Sequence, residues 1–318
     1  MEENIIGYDN DIGKLYKKEA SACAFTLLTY IILEIFFEYA LSAINLLIYK
    51  GYFNINFLSY KMYNNSDWIG VLISTASVVL SFLVTFCIIY RKSFASALKE
   101  KMRYGKGLAK TVVKGVPALF FAVYIGNYVY MAILIILKYF GVSYNANAVL
   151  NPNYKGAANV IYWAYVCLAA PVIEEFIFRG FILGKMKKYG NRSAIFISAI
   201  LFAMMHGILT QIPMAFMAGI VLGCVCVYTN SIFPSIIMHI LFNTINMIGG
   251  TFSENVFSKV MLCLSVIGLL VIIEAARKRI WEDSVREQGK YVKWFFSRIW
   301  VLLLIAFHIL IGAQYFQL

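Results

Sequence analysis

Six side chains near the middle of this 318-residue chain have types and spacings that could do chemistry. Glu174 and Glu175 are adjacent carboxylates, and Arg179 follows the second by four residues. His206 comes next, with Phe202 one helical turn before it, and then His239, with Asn243 one turn after it. A positioned carboxylate can take a proton from water, and imidazole or amide N–H groups can stabilise developing negative charge. The same acid and two imidazoles are a legitimate zinc set with one position open. Each residue alone also has an ordinary structural reading. Glu175 and Arg179, acid first and four apart, form a favourable helical ion pair. A single histidine in an apolar helix is by default an interhelical hydrogen-bonding group.

The elements that must position these groups are membrane helices. The chain is 61% hydrophobic, well above the 45–50% of soluble domains, and its mean hydropathy is +0.75. The expected fold is an all-α, polytopic helix bundle with about eight to nine transmembrane helices. Nine apolar segments fit: 20–48, 68–90, 112–137, 159–185, 193–210, 213–229, 232–250, 256–275 and 295–316. The last is the weakest, because losing it would move only the C-terminus. The net charge of +12 is spread between hydrophobic runs, which is the pattern of cytoplasmic loops and excludes a nucleic-acid-binding patch. With the N-terminus inside and helices alternating, 23 of the 28 Lys and Arg residues fall on the inner side. The basic loop from Arg91 to Lys110 is expected to face lipid. No cleavable signal peptide is expected, and all six cysteines lie in apolar runs as packing residues. The chain divides into N-terminal transmembrane helices (1–155), a catalytic core (156–250) and C-terminal transmembrane helices (251–318), with an Asn- and Tyr-rich loop from Ser143 to Gly156 at the first boundary.

Several local signals refine this layout. Gly190-Asn191 closes one helix, and Ser193 is placed to cap the next. Pro213 and Pro234 lie near helix starts, where the missing N–H costs little. Pro171 lies within the fourth helix, where it should kink the chain and free a carbonyl that a neighbour or water must satisfy. At about 1.5 Å per residue from the inner ends, Glu174 lies roughly 16 Å deep, His206 roughly 18 Å, His239 roughly 10 Å and Asn243 roughly 16 Å. Three separate helices therefore bring polar groups to one level. Ionisable residues at such depth mark function by default. Glu174 points about 100° away from Glu175, so Glu175–Arg179 reads as the supporting pair and Glu174 as the chemically active acid.

The pattern Glu174-Glu175-x-x-x-Arg179, Phe202-x-x-x-His206 and His239-x-x-x-Asn243 resembles the three motifs of the CPBP family (CAAX protease and bacteriocin-processing, or Abi), which includes the Ras-converting CAAX endopeptidase. The resemblance covers residues 159–250, with no departure at the motif positions. It implies an intramembrane endopeptidase in which Glu174 activates water, His206 holds the same water, and His239 and Asn243 stabilise the oxyanion. Glu175, Arg179 and Phe202 are supporting residues. No cofactor is favoured. Zinc is the alternative, bound if at all by Glu174, His206 and His239, although Asn is an unusual zinc ligand and no His-Glu-x-x-His helix is present. The implied partner is a membrane peptide or lipidated protein in the bilayer, and the implied place a bacterial plasma membrane with the site open to the cytoplasm.

Other readings compete. A non-catalytic bacteriocin-immunity or partner-binding membrane protein would use the same residues without turnover. A proton-coupled transporter would show inverted repeats, which this sequence lacks. His308 is read as packing. Glu34 and Glu38, on one face of the first helix, either line a water-filled route or pair with neighbours. Substrate and oligomeric state carry no signal.

Overall fold

The computed structural model describes residues 2–50, 68–99, 107–144, 154–277 and 288–317. The segments 51–67, 100–106, 145–153 and 278–287, on which part of the orientation count and of the first domain boundary rest, lie outside the described residues. The structure is all-α apart from a two-residue antiparallel pairing. Helix α1 (Glu2–Lys50) is followed by α2 (Trp68–Phe82), which runs on as a π-helical segment (Leu83–Ile89). Then come α3 (Arg91–Leu98), α4 (Leu108–Tyr139) and strand β1 (Ser143–Tyr144). A composite helix follows, made of α5 (Gly156–Ala164), a π segment (Tyr165–Ala169), α6 (Ala170–Glu175), a second π segment (Phe176–Ile182) and α7 (Leu183–Met186). Helices α8 (Asn191–Met205), α9 (Ile212–Thr229), α10 (Phe233–Gly249), α11 (Glu254–Arg277), α12 (Gln288–Phe296) and α13 (Ile299–Ala313) lead to β2 (Phe316–Gln317).

Among the described residues, five helices are long and apolar enough to cross a membrane: Asp11–Leu47, Trp68–Ile89, Leu108–Tyr139, Ile212–Thr229 and Asn255–Arg277. The expected single span over 295–316 is instead a bent pair, Gly289–Phe296 and Ile299–Ala313, meeting at 69°. Counting that pair gives six. The two helices that carry the histidines, α8 and α10, are shorter apolar helices of 15 and 17 residues. At 1.5 Å per residue they reach about 22–26 Å, less than the hydrocarbon thickness of about 30 Å. The chain is a polytopic helical membrane protein whose central helices are short or broken. In lipid, such breaks persist only where protein covers the backbone. The turn after α8 fits that rule: Ile208 and Thr210 in it are buried, and the Leu209 amide donates to the Tyr144 hydroxyl at 3.0 Å.

Two local expectations change. Ser193 does not cap α8; it lies inside the helix and its hydroxyl donates to the Gly190 carbonyl at 3.1 Å. Gly190 itself turns the chain at φ 139°, a conformation open to glycine. The Arg91–Lys110 stretch is not simply a lipid-facing loop. Its first part is α3, which buries Phe94 against Phe86, Phe176 and Phe181 and thereby braces the composite helix. Pro213 and Pro234 stand in the first turns of α9 and α10, where proline leaves no intrahelical bond unmade.

Candidate active site

The two adjacent acids have different surroundings. Glu175 ends α6 and points inward, with its side chain fully buried beside a fully buried Arg179. Arg179 Nη1 donates to Glu175 Oε1 at 2.7 Å across one turn of the composite helix. The guanidinium is held on two further sides. Nη2 donates to the Gly219 carbonyl of α9 at 3.3 Å, and the group lies 4.5 Å above the Phe202 ring of α8. A cation over an aromatic face in a dry site gains electrostatic stabilisation from the ring. The contact with Gly219 needs a residue without a side chain. A Cβ there would stand 2.9 Å from Ala199 Cα and 3.3 Å from the Phe202 ring.

Glu175 has a second partner that the sequence did not disclose. His239 Nδ1 lies 3.1 Å from the same Oε1. A carboxylate accepts only, so Nδ1 carries the proton in this contact. His239 Nε2 then faces Glu174 Oε2 at 3.6 Å, beyond direct hydrogen-bond length. Glu174 retains 29% side-chain exposure, whereas His239 retains 8% and Glu175 none. The chain of contacts therefore runs Arg179–Glu175–His239–Glu174, from a buried ion pair to an accessible acid.

Phe202 organises the other imidazole. His206, at the C-terminal end of α8, places Nδ1 3.0 Å from the Phe202 carbonyl. Its ring meets the Phe202 ring edge-on at 5.0 Å, and His239 meets the same ring at 5.8 Å. Both histidines are thus anchored through Nδ1, and both lean on one phenylalanine that also carries Arg179.

Asn243 sits one turn after His239 and donates its Nδ2 to the Val166 carbonyl at 2.8 Å. The reason lies in Pro171. Residues 165–169 are π-helical, with the Ala170 amide bonded to the Tyr165 carbonyl five residues back. In the same register the next bond would join residue 171 to Val166, and proline has no N–H to make it. The neighbour expected to compensate for Pro171 is Asn243. The following break is treated in the same way: Ser198 Oγ donates to the Phe178 carbonyl, inside the second π segment, at 2.9 Å. π-Helical insertions of this kind occur often at functional sites.

Contacts link Glu174, Glu175, Arg179, Phe202 and His239, while His206 joins them through Phe202 and Asn243 meets the composite helix at Val166. Among the described residues, no group of three or more His, Cys, Asp or Glu side chains is spaced to hold a metal ion. The residues missed by sequence reasoning are Gly219 and two tyrosines, one of them from outside the core. Gly219-x-x-x-Gly223 was the available signal for the first, since small residues four apart mark close helix approach. For the second, Tyr30 of α1 and Tyr165 lie within electrostatic reach of both Glu34 and Glu174. Glu38 accepts bonds from Ser74 and Ser77 of α2, each at 3.0 Å, so it ties two helices together. His308 Nδ1 donates to the Leu304 carbonyl of its own helix at 2.8 Å.

Fold and site define a helical membrane protein with an acid–imidazole–guanidinium chain buried between short central helices. Residues 156–245 match the family model described as type II CAAX prenyl endopeptidase Rce1-like. A similar protein is the membrane-embedded CAAX protease MroQ of Staphylococcus aureus (strain USA300), 32% identical over 90 residues, which are 26% of this chain and 36% of the relative. The matched region thus spans about a third of the length of that curated relative. No solved structure matches the chain significantly.

Proposed function

We propose that this protein is an intramembrane endopeptidase that hydrolyses a peptide bond in a membrane-associated substrate. The observation that carries the reading is the 3.6 Å separation of Glu174 Oε2 from His239 Nε2, with His239 fixed from behind by Glu175. A water at ordinary hydrogen-bond length from both groups would lie to one side of the line that joins them. In the proposed step Glu174 takes a proton from that water as its oxygen attacks the substrate carbonyl carbon, and His206 holds the water through Nε2. The resulting oxyanion accepts from His239 Nε2–H, which requires the doubly protonated ring, and from the second hydrogen of Asn243 Nδ2, the first being directed to Val166. Glu174 then returns the proton to the leaving amine as the C–N bond breaks. Preorganised donors of this kind supply most of the stabilisation in acyl transfer.

The substrate class is a membrane peptide or a lipidated protein. The reading is metal-free, because an amide in the constellation suits oxyanion stabilisation better than zinc ligation. Histidines anchored through Nδ1 also occur in metal sites, so the zinc alternative receives its own test below. The proposed setting is a bacterial plasma membrane, with the N-terminus and the mouth of the site on the cytoplasmic side, a direction that the Lys and Arg distribution supports.

The test is a cleavage assay in proteoliposomes with farnesylated and unmodified membrane peptides. Cleavage of at least one class that disappears in Glu174→Gln supports the proposal. Equal cleavage by parent and variant overturns the mechanism, and binding without turnover in both points to a non-catalytic partner-binding protein.

A further inference from the structure

The structure contains a cavity that the proposed chemistry does not use. It has a volume of about 880 Å³ and lies between α4, α9 and α11. Its walls on α9 include Met217, Ile220, Val221 and Cys224, the helix face opposite Gly219 and the Arg179 contact. Its rim is polar. Lys110, Lys114, Tyr228 and Glu274 line it at one end of all three helices, and Ala118, Phe121 and Ala122 line the interior from α4. The outer faces of α4 and α11 are apolar and exposed: Val113 at 72% and Leu270 at 62%. The surroundings are therefore those of a bilayer, and the cavity stands in acyl-chain territory with its rim at headgroup level.

The geometry points to a binding site for one anionic phospholipid of the surrounding membrane, with its phosphate at the rim and its acyl chains between the three helices. Charge complementarity selects the occupant. Two lysines face one carboxylate, Glu274, which is 2.6 Å from Lys114. Lys110 is exposed and supplies the excess positive charge. Basic pockets between transmembrane helices are the sites where anionic headgroups bind. A cavity of this volume lies within the range of small-molecule sites of ~300–1,000 Å³ and takes the headgroup and the upper part of the acyl chains, whose ends run on into the bilayer. Small residues on α4 make the room: Ala118 and Ala122 line the cavity, where larger side chains would fill it, while Gly115 gives way to Met238 of α10.

Native mass spectrometry of the full chain in detergent, with added phosphatidylglycerol or phosphatidylcholine, tests the site. The wild type should retain phosphatidylglycerol at several-fold higher occupancy than phosphatidylcholine. Lys110→Ala should reduce that preference, Lys110→Ala/Lys114→Gln should abolish it, and Ala118→Trp should reduce retention of both lipids. Equal occupancy of the two lipids in the wild type overturns the proposal, as does unchanged retention in the lysine variants. Displacement of bound phosphatidylglycerol by a farnesylated peptide also overturns it, because the cavity would then belong to substrate. Should Ala118→Trp fail to fold, the exposed Lys110→Ala variant decides alone. Peptide cleavage by Lys110→Ala is expected to be unchanged, which separates this site from the proposed protease chemistry.

Discussion

Asn243 donates its side-chain amide to the Val166 carbonyl across 2.8 Å, and that carbonyl is the one Pro171 leaves without a partner. One amide thus joins α10 to the broken helix that carries Glu174 and Glu175. The contact sets the distance between the acid and the imidazole before any substrate arrives. It also means that Asn243 has a structural task alongside its proposed catalytic one, and the two can be separated.

Asn243→Ala should lower stability by about 1 kcal/mol, the cost of leaving a part-buried carbonyl unsatisfied. In a Pro171→Ala background the restored N–H can reach Val166, so the loss on adding Asn243→Ala should be smaller. A double-mutant cycle of thermal unfolding in detergent measures this coupling. If the amide also stabilises the oxyanion, the activity loss should persist in both backgrounds. An activity loss that vanishes with Pro171→Ala would leave Asn243 a purely structural residue.

Glu174 and Glu175 should respond differently to the same change. Glu174→Gln removes an accessible base and should reduce turnover by at least about a hundredfold while leaving the melting temperature close to that of the parent. Glu175→Gln strips the partner from a fully buried Arg179 and should cost about 3–5 kcal/mol of stability. Melting curves and single-turnover cleavage on the two variants distinguish them. A strongly destabilised Glu174→Gln would reverse the assignment of roles.

Gly219→Val tests the support beneath Arg179. The new side chain meets Ala199 and Phe202, the residues a Cβ already approaches at 2.9–3.3 Å. Overpacking of this kind costs about 1–3 kcal/mol. Because Phe202 also carries both imidazoles, turnover should fall more than the stability loss alone explains. A variant with parental stability and turnover would show that α8 and α9 separate freely here.

Metal removal decides between the two mechanisms compatible with Nδ1-anchored histidines. In the metal-free mechanism, dialysis against a zinc chelator leaves the cleavage rate unchanged and added zinc does not raise it. Loss of activity on dialysis, recovered by stoichiometric zinc, would transfer Glu174, His206 and His239 from acid–base roles to ligation.

The sequence by itself determined the class of this protein and marked the polar side chains of its candidate site. An apolar composition in a chain of this length forces membrane helices, because lipid leaves backbone groups no other partner. The i, i+4 spacings of Glu175 with Arg179, of Phe202 with His206 and of His239 with Asn243 follow from helical periodicity, and so are legible before folding. Tertiary structure decided how those pairs join. The bond from His239 to Glu175 crosses 64 residues, that from Asn243 to Val166 crosses 77, and that from Arg179 to Gly219 crosses 40. No local pattern encodes such distances, and the two π segments flanking Glu174 and Glu175 reset the angle at which each side chain leaves the helix. Whether a helix takes that register depends on whether a neighbour satisfies the freed carbonyls. Ser198 and Asn243 do so only once the bundle has packed.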